Sequence, residues 1–183
     1  MKFCSSNLIT KDKQTVQGPM LISPKCFKDA RGFFLEEWNE SEWIKLLEAN
    51  DQNYHKFVQD NLSKSSLGVL RGLHFQSEPF SQSKLVRCIS GKIFDVCVDL
   101  RKNSPTFGKW ISATLSSSNL NQLWIPEGFA HGFLTLSDIA LVQYKVTNYW
   151  SKDCEYSLIW NDKEVNIDWP SEICDNFKLS QKD

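Results

Sequence analysis

The segment Leu70-Arg71-Gly72-Leu73-His74-Phe75-Gln76 carries the residues best suited to chemistry, and Lys84 follows it by eight positions. His74 is one of only three histidines, and it lies between cationic side chains in an apolar stretch. Burial and nearby positive charge both favour the neutral imidazole, which is the form that a general base needs. The segment therefore predicts an enzyme that removes a proton and stabilises the resulting anion. The alternative is that His74 is a structural residue of the core with its hydrogen bonds satisfied.

A second histidine block, Pro126-Glu127-Gly128-Phe129-Ala130-His131, has the pattern Pro-x-Gly-x-x-His. It resembles one of the two motifs of the cupin superfamily, whose fold is a small jelly-roll barrel. In metal-binding cupins the other motif supplies a His-x-His pair and a glutamate, whereas His74 is followed by Phe75 and Gln76. Because histidines are few and thiols are not clustered, we expect no tight divalent metal site.

Most of the chain has the pattern of β-strands. Apolar, β-branched runs at 85–90 and 93–100 flank Gly91 and predict a hairpin, and further strands are expected at 110–115, 123–125, 132–136 and 140–147. One short helix is predicted, with Asn39 as its N-cap, Trp43, Leu46 and Leu47 on its apolar face, and its end near residue 50. The sequence thus predicts an all-β, cupin-like jelly-roll barrel with a few short peripheral helices.

Asp95 and Asp99 alternate with apolar residues in the predicted strand 93–100, so both carboxylates lie on one face. That face either lines a polar cavity or is turned to solvent, and alternation alone favours neither.

Length and composition indicate one ordinary globular domain covering residues 1–183. The net charge of −1 gives no global field to attract nucleic acid or an anionic membrane, so neither is expected as a partner. The N-terminus lacks the apolar core of a signal peptide, and no run is long enough to span a bilayer, which favours a cytoplasmic location. The six scattered cysteines contain no Cys-x-x-Cys pair and are expected to be reduced thiols.

Several motifs stand together in the order seen in one family, and the chain strongly resembles the dTDP-4-dehydrorhamnose 3,5-epimerases over nearly its whole length. Such enzymes act on a nucleotide-linked 4-keto-6-deoxy sugar, in which the hydrogens on C3 and C5 flank the ketone. Removing either proton gives an enolate, and reprotonation from the opposite face inverts the carbon. The motifs are 27–36, 70–76, Asp95-Val96-Cys97-Val98-Asp99-Leu100-Arg101, Ser104-Pro105-Thr106-Phe107-Gly108, 128–133 and Ile167-Asp168-Trp169-Pro170.

The resemblance implies four catalytic residues. His74 is then the base, Lys84 stabilises the enolate oxygen, and Tyr144 is the acid on the far face of the sugar. Asp183 matches an aspartate in the family segment Leu-Ser-x-x-Asp, which hydrogen-bonds the histidine and fixes its tautomer. Without the resemblance, Tyr144 is more simply a tyrosine that fills the barrel, and Asp183 a solvated terminal residue.

The resemblance also implies substrate-binding residues. Arginine suits bidentate contact with phosphate oxygens. The positions that match those holding the sugar and the diphosphate in the family are Arg31, Gln59, Asn61 and Arg71.

Five further positions complete the implied site. Phe34 and Glu36 match residues that reach across a homodimer interface, so a segment of about residues 1–60 is expected to contribute to the dimer and to the ligand site. His131 matches a site histidine that pairs with the carboxylate at position 95, although a structural role at a turn is the alternative, and Glu155 matches a substrate contact. The family usually has a tyrosine where this chain has Trp150. If Trp150 stacks on the thymine, it keeps a flat apolar face and loses a phenolic hydroxyl.

The activity that the resemblance implies is epimerisation of dTDP-4-dehydro-6-deoxy-D-glucose at C3 and C5 to dTDP-4-dehydro-L-rhamnose without a cofactor, in the synthesis of rhamnose for polysaccharide. The main alternative is an epimerase that acts at one carbon, or on a related nucleotide sugar, because such enzymes share the same catalytic residues. More distant alternatives are a metal-dependent cupin oxygenase and a cupin that binds sugar nucleotides without catalysis.

Overall fold

Two antiparallel β-sheets face each other in the computed structural model, which describes residues 3–173 and 176–183. The strands are β1 (Phe3–Ile9), β2 (Thr15–Pro24), β3 (Cys26–Asp29), β4 (Gly32–Leu35), β5 (Gln59–Ser66), β6 (Leu70–Gln76), β7 (Lys84–Ser90), β8 (Lys92–Asp99), β9 (Trp110–Ser116), β10 (Gln122–Ile125), β11 (Phe129–Thr135), β12 (Ile139–Val146) and β13 (Glu155–Ser157).

The larger sheet has the spatial order β1-β2-β10-β7-β12-β5, and the smaller sheet has the order β13-β6-β11-β8-β9. β3 and β4 pair with each other as a separate hairpin. The described residues also form one α-helix and two short 3₁₀ helices at 152–154 and 171–173, and the double sheet confirms the predicted jelly-roll class.

Helix α1 (Glu40–Glu48) begins where the sequence predicts. The Asn39 side chain accepts a hydrogen bond from the backbone N–H of Glu42 and thereby caps one of the free donors of the first turn. Its buried side chains, Trp43, Leu46 and Leu47, pack with apolar residues of the larger sheet, including Leu85 and Trp124. The helix therefore covers the outer side of that sheet.

Alternation along β8 separates two cores. Cys97 belongs to the apolar cluster between the sheets, together with Val86 of β7 and Val142 of β12. Val96 and Val98 point to the opposite side, where the C-terminal segment covers the smaller sheet with Trp169 and neighbouring apolar residues. The side of Asp95 and Asp99 therefore faces the interior of the barrel. Both carboxylates are fully buried, so the interpretation as a solvent-exposed face is wrong.

The predicted hairpin around Gly91 is also wrong, although both strands exist. β7 pairs with β10 and β12 in the larger sheet, whereas β8 pairs with β9 and β11 in the smaller one. Gly91 has φ +81, and a Cβ there would lie 2.2 Å from the carbonyl oxygen of Ile139. A glycine between two apolar runs fits either a hairpin turn or a crossing between sheets, and the long-range strand partners decide for the crossing.

Residues 99–107, from the motifs that resemble the family, form a loop that is held by hydrogen bonds to Asp99. The buried carboxylate of Asp99 accepts hydrogen bonds from the Arg101 guanidinium and from the hydroxyls of Ser104 and Thr106, at 2.6–2.9 Å. Burial alone would raise the pKa of Asp99, but these donors hold it below its ordinary value. The guanidinium also lies over the Phe129 ring, 4.5 Å from its centroid. These residues therefore stabilise the barrel and do not line the cavity described below.

Five cysteines (Cys4, Cys26, Cys88, Cys97 and Cys154) are free thiols, and Cys174 lies outside the described residues. Within residues 3–173 and 176–183, no helix is both long and apolar enough to cross a membrane.

Candidate active site

A cavity of about 320 Å³ lies between the two sheets and brings together most of the predicted site residues. Ten of the thirteen line it: Gln59, Asn61, Arg71, His74, Lys84, His131, Tyr144, Trp150, Glu155 and Asp183. Arg31, Phe34 and Glu36 are not among its lining residues.

His74 lies on β6 of the smaller sheet, directly opposite His131 of β11. Its Nε2 lies 3.1 Å from Oδ1 of Asp183, although the ring N–H direction does not meet hydrogen-bond geometry in this structure. Burial lowers the pKa of His74, and the charge of Lys84 lowers it further, whereas the carboxylate of Asp183 opposes the shift. The imidazole is therefore neutral at neutral pH.

Asp183 is held by β6 and by its own turn. Its Oδ1 accepts a hydrogen bond from the backbone N–H of Gly72 at 2.9 Å, and its Oδ2 accepts from the backbone N–H and the hydroxyl of Ser180. Burial alone would raise the pKa of Asp183, but these donors hold it below its ordinary value. The carboxylate thus remains charged beside the imidazole, and it is not a solvated terminal side chain.

Lys84 begins β7 in the larger sheet and is only 8% exposed. Its Nζ donates a hydrogen bond to the backbone carbonyl of His74 at 3.1 Å, which places the ammonium group beside the histidine. Burial lowers the pKa of Lys84 to about 8, and the charges of Asp95 and Glu155 oppose the shift in part. Lys84 is therefore mostly cationic at neutral pH and close to its titration point.

Tyr144 lies on β12 of the larger sheet, with Asn61 of β5 directly beside it. Burial raises the pKa of Tyr144, which keeps the phenol protonated. Because β12 and β6 belong to different sheets, Tyr144 and His74 occupy opposite walls of the cavity.

His131 and Asp95 form a buried pair, with His131 Nε2 2.5 Å from Oδ1 of the carboxylate. The expected pairing is therefore present. Asp95 itself does not line the cavity; it contacts the lining residue His131, and its charge also opposes the lowering of the pKa of Lys84.

The rim of the cavity carries further charge. Glu155 on β13 accepts a hydrogen bond from Lys182 Nζ at 2.8 Å, and the guanidinium of Arg71 donates to the Ser65 hydroxyl at 2.9 Å. Ser63 and Lys182 also line the cavity and were missed by the sequence reasoning. Period-two alternation from Gln59 along β5 would have found Ser63.

The three remaining predicted residues lie on or just after the hairpin formed by β3 and β4. The Arg31 guanidinium pairs with Asp29 at 2.6 Å, and Phe34 is 70% exposed. Glu36 follows the end of β4. The described chain therefore does not bring these residues to its own cavity.

The arrangement suits proton transfer at a carbon next to a carbonyl group. A neutral imidazole backed by a carboxylate can take a proton, a protonated phenol on the opposite wall can return one, and a buried cation can stabilise the enolate oxygen. No group of three or more histidine, cysteine, aspartate or glutamate side chains in the described part of the chain is arranged to hold a metal ion.

Comparison with known proteins gives the family. The family model for dTDP-4-dehydrorhamnose 3,5-epimerase matches residues 13–183. A dTDP-4-dehydrorhamnose 3,5-epimerase from Shigella flexneri is 52% identical over 171 residues, which cover 93% of this chain and 91% of the relative. The chain belongs to the dTDP-4-dehydrorhamnose 3,5-epimerase family.

Solved structures agree in fold. The dTDP-6-deoxy-D-glucose-3,5-epimerase from Legionella pneumophila, in complex with dTDP-4-keto-L-rhamnose, has a TM-score of 0.87 and 42% identity, covering 98% of this chain and 89% of that one. A 3'-monoepimerase from Streptomyces bikiniensis, in complex with dTDP-quinovose, has a TM-score of 0.81 and 28% identity, covering 90% and 80%. The fold alone therefore does not separate enzymes that act at one carbon from those that act at two.

The contact between His74 and Asp183 gives a testable prediction. Replacing Asp183 with Asn removes the negative charge that raises the pKa of His74, so that pKa should fall further below the ordinary histidine value of 6.5. NMR titration of the imidazole in ligand-free protein measures the pKa of His74. Asp168→Asn, which removes an exposed carboxylate paired with Lys11, is the control and should leave it unchanged. An equal His74 pKa in wild type and Asp183→Asn would show that the two groups are not coupled in solution.

Proposed function

We propose that this protein epimerises dTDP-4-dehydro-6-deoxy-D-glucose at C3 and C5, giving dTDP-4-dehydro-L-rhamnose. The observation that carries the proposal is the placement of His74 and Tyr144 on opposite walls of one cavity, with the ammonium group of Lys84 beside the histidine. Inversion at carbon requires removal of a proton from one face and its return to the other, and opposite walls provide that geometry.

In the proposed reaction, His74 removes the proton next to the C4 ketone. Its Nε2 faces Asp183, so Nδ1 is the nitrogen that takes the proton. The carboxylate of Asp183 then stabilises the imidazolium that forms, as an orienting carboxylate does in a catalytic triad. Lys84 stabilises the enolate oxygen by its charge, and the phenol of Tyr144 delivers a proton from the opposite wall.

Substrate binding is proposed for the polar rim. Arg71 and Lys182 supply positive charge for the diphosphate, and Gln59 and Asn61 supply donors and acceptors for the sugar. His131, kept in place by Asp95, and Glu155 complete the polar lining around the sugar. Trp150 lines the same cavity and offers a flat apolar face to the nucleobase.

We further propose that a second copy of the chain supplies Arg31, Phe34 and Glu36 to the site. The hairpin of β3 and β4 presents exposed aromatic side chains (Phe27, Phe33 and Phe34), and large exposed apolar groups commonly mark interfaces. Sedimentation velocity should therefore give the mass of a homodimer. Phe34→Asp should shift the protein towards monomer and raise KM, whereas Phe107→Asp, at another exposed phenylalanine, should not. A wild-type monomer with full activity would contradict this assembly.

Solvent exchange tests the activity itself. Wild-type protein incubated with dTDP-4-keto-6-deoxyglucose in deuterated water should incorporate deuterium at both C3 and C5, because the C4 ketone makes both positions acidic. NMR of the sugar measures both positions. Exchange at C3 alone would reassign the protein as a single-carbon epimerase, and no exchange at either position would refute the epimerase.

Two variants separate the roles of His74 and Tyr144 in the same deuterium-exchange experiment. His74→Ala should abolish exchange, since it removes the base. Tyr144→Phe should still exchange but invert poorly, because the proton can return only from the face that it left. Equal and complete loss of deuterium exchange in both variants would instead make the phenol of Tyr144 an essential donor to the enolate oxygen.

The pH dependence of kcat/KM follows from the two shifted groups of the free enzyme. Activity should fall in acid as the pH drops through the lowered pKa of His74, because a protonated base cannot act. It should fall in alkali as the pH rises through about 8, where Lys84 loses its charge. Lys84→Arg keeps its charge in this range, so its alkaline limb should disappear even if its maximal rate is lower. An unchanged alkaline limb would assign that limb to another group.

A further inference from the structure

Trp150 lies in the connection between β12 and the 3₁₀ helix at 152–154, outside the strands of both sheets. Trp150 is 53% exposed and lines the cavity. The Trp150 side chain hydrogen-bonds to Glu155. To serve as a stacking surface, a ring this far out of the core also needs a fixed backbone, because exposed connections are otherwise mobile.

Three glutamine side chains fix this backbone, and we call Gln59, Gln76 and Gln82 the glutamine clamp. Gln82 Nε2 donates to the carbonyl of residue 148 at 2.7 Å. Gln59 Oε1 accepts from the N–H of residue 150 at 3.4 Å. Gln76 bonds on both sides of the tryptophan: its Nε2 donates to the carbonyl of residue 149 at 3.1 Å, and its Oε1 accepts from the N–H of residue 151 at 2.7 Å.

Gln76 is the buried centre of the clamp. It is only 7% exposed, and its second amide hydrogen donates to the carbonyl of Phe80 at 2.5 Å. Both hydrogens and the oxygen of the amide are thus engaged by backbone groups, so the side chain is saturated as a donor before any ligand binds. Gln76 therefore acts through the segment that it holds and not by direct donation to the sugar.

Gln76 also links the proposed base to the segment that carries Trp150. It follows His74 by two positions on β6, and alternation puts both side chains on the same face, with Cα atoms about 6–7 Å apart. One rigid strand therefore carries the proposed base and the residue that holds the tryptophan.

We infer that Gln76 is a positioning residue that fixes Trp150 as the platform for the nucleobase, so that it governs nucleotide affinity and not proton transfer. This inference rests on the proposed function for the identity of the ligand. Replacing the amide with an apolar group removes the hydrogen-bond partner of the carbonyls of residues 80 and 149 and of the N–H of residue 151. Removing one partner and leaving the others costs more than removing both partners.

Titration calorimetry with dTDP, combined with steady-state kinetics, tests the inference. Gln76→Met should raise the dTDP dissociation constant and KM by roughly tenfold, while kcat stays within about threefold. Gln143→Met is the matched control on the outer face of β12, and it should leave the dTDP dissociation constant, KM and kcat unchanged. A loss of kcat with unchanged dTDP affinity would overturn the inference.

A double-mutant cycle distinguishes positioning from general loss of packing. If Gln76 acts through Trp150, then Gln76→Met should have little further effect on dTDP affinity in a Trp150→Ala background. Additive effects of the two changes would overturn the inference. Because dTDP binding needs no turnover, this result is independent of whether the protein proves to be an epimerase.

Gln76→Glu gives a signature that a structural defect does not. A buried carboxylate facing two carbonyls should weaken dTDP binding at high pH, whereas the protonated acid can donate one of the lost hydrogen bonds. The dTDP affinity of this variant, relative to wild type at each pH, should recover as the pH falls.

If Gln76→Met does not fold, Gln82→Met loosens the clamp from its less buried side, and amide exchange at Trp150 and Ser151 should then accelerate. Unchanged exchange in that variant, or a pH-independent ratio for Gln76→Glu, would count against the clamp.

Discussion

The close contact between β6 and β11 is the constraint on which the site depends. A Cβ on Gly72 would lie 2.6 Å from Gly132 Cα and from the carbonyl oxygen of His131, so the two strands meet backbone to backbone. Gly72 also has φ +112, a conformation that side chains rarely permit. This contact sets His74 opposite His131, and it leaves the N–H of Gly72 free to bind the carboxylate of Asp183. One glycine therefore fixes the histidine, its neighbour across the sheet and its carboxylate partner.

Burial is the common cause of the electrostatics in the cavity. It lowers the pKa of His74 and of Lys84, and it raises the pKa of Tyr144. The three shifts produce a neutral base, a cation near its titration point and a protonated phenol, which are the forms that the proposed chemistry requires. Because Lys84 is only 8% exposed, its charge is also less screened by solvent and acts more strongly on the oxyanion of the proposed reaction.

The residues that the family resemblance singles out divide into two kinds. His74, Lys84 and Tyr144 face the cavity, whereas Asp99 and its arginine partner only tie down a loop of the barrel. Gln76 has features of both kinds. It lines the cavity, but its amide forms hydrogen bonds with the backbone around Trp150. Sequence similarity by itself therefore does not tell a chemical residue from one that builds the site.

The sequence by itself determined the features that depend on local pattern. Alternation in β8 puts Asp95 and Asp99 on one face, Asn39 caps the helix, and the segment around His74 combines a base with cations, because each of these depends on neighbours within a few positions. Only the tertiary structure decided which distant groups meet. Asp183 reaches Gly72 across 111 positions, Gly91 marks a crossing and not a hairpin, and Arg31 lies outside the cavity that its motif predicts. Those outcomes depend on strand partners chosen by burial of whole sheets, and local periodicity is the same for every choice.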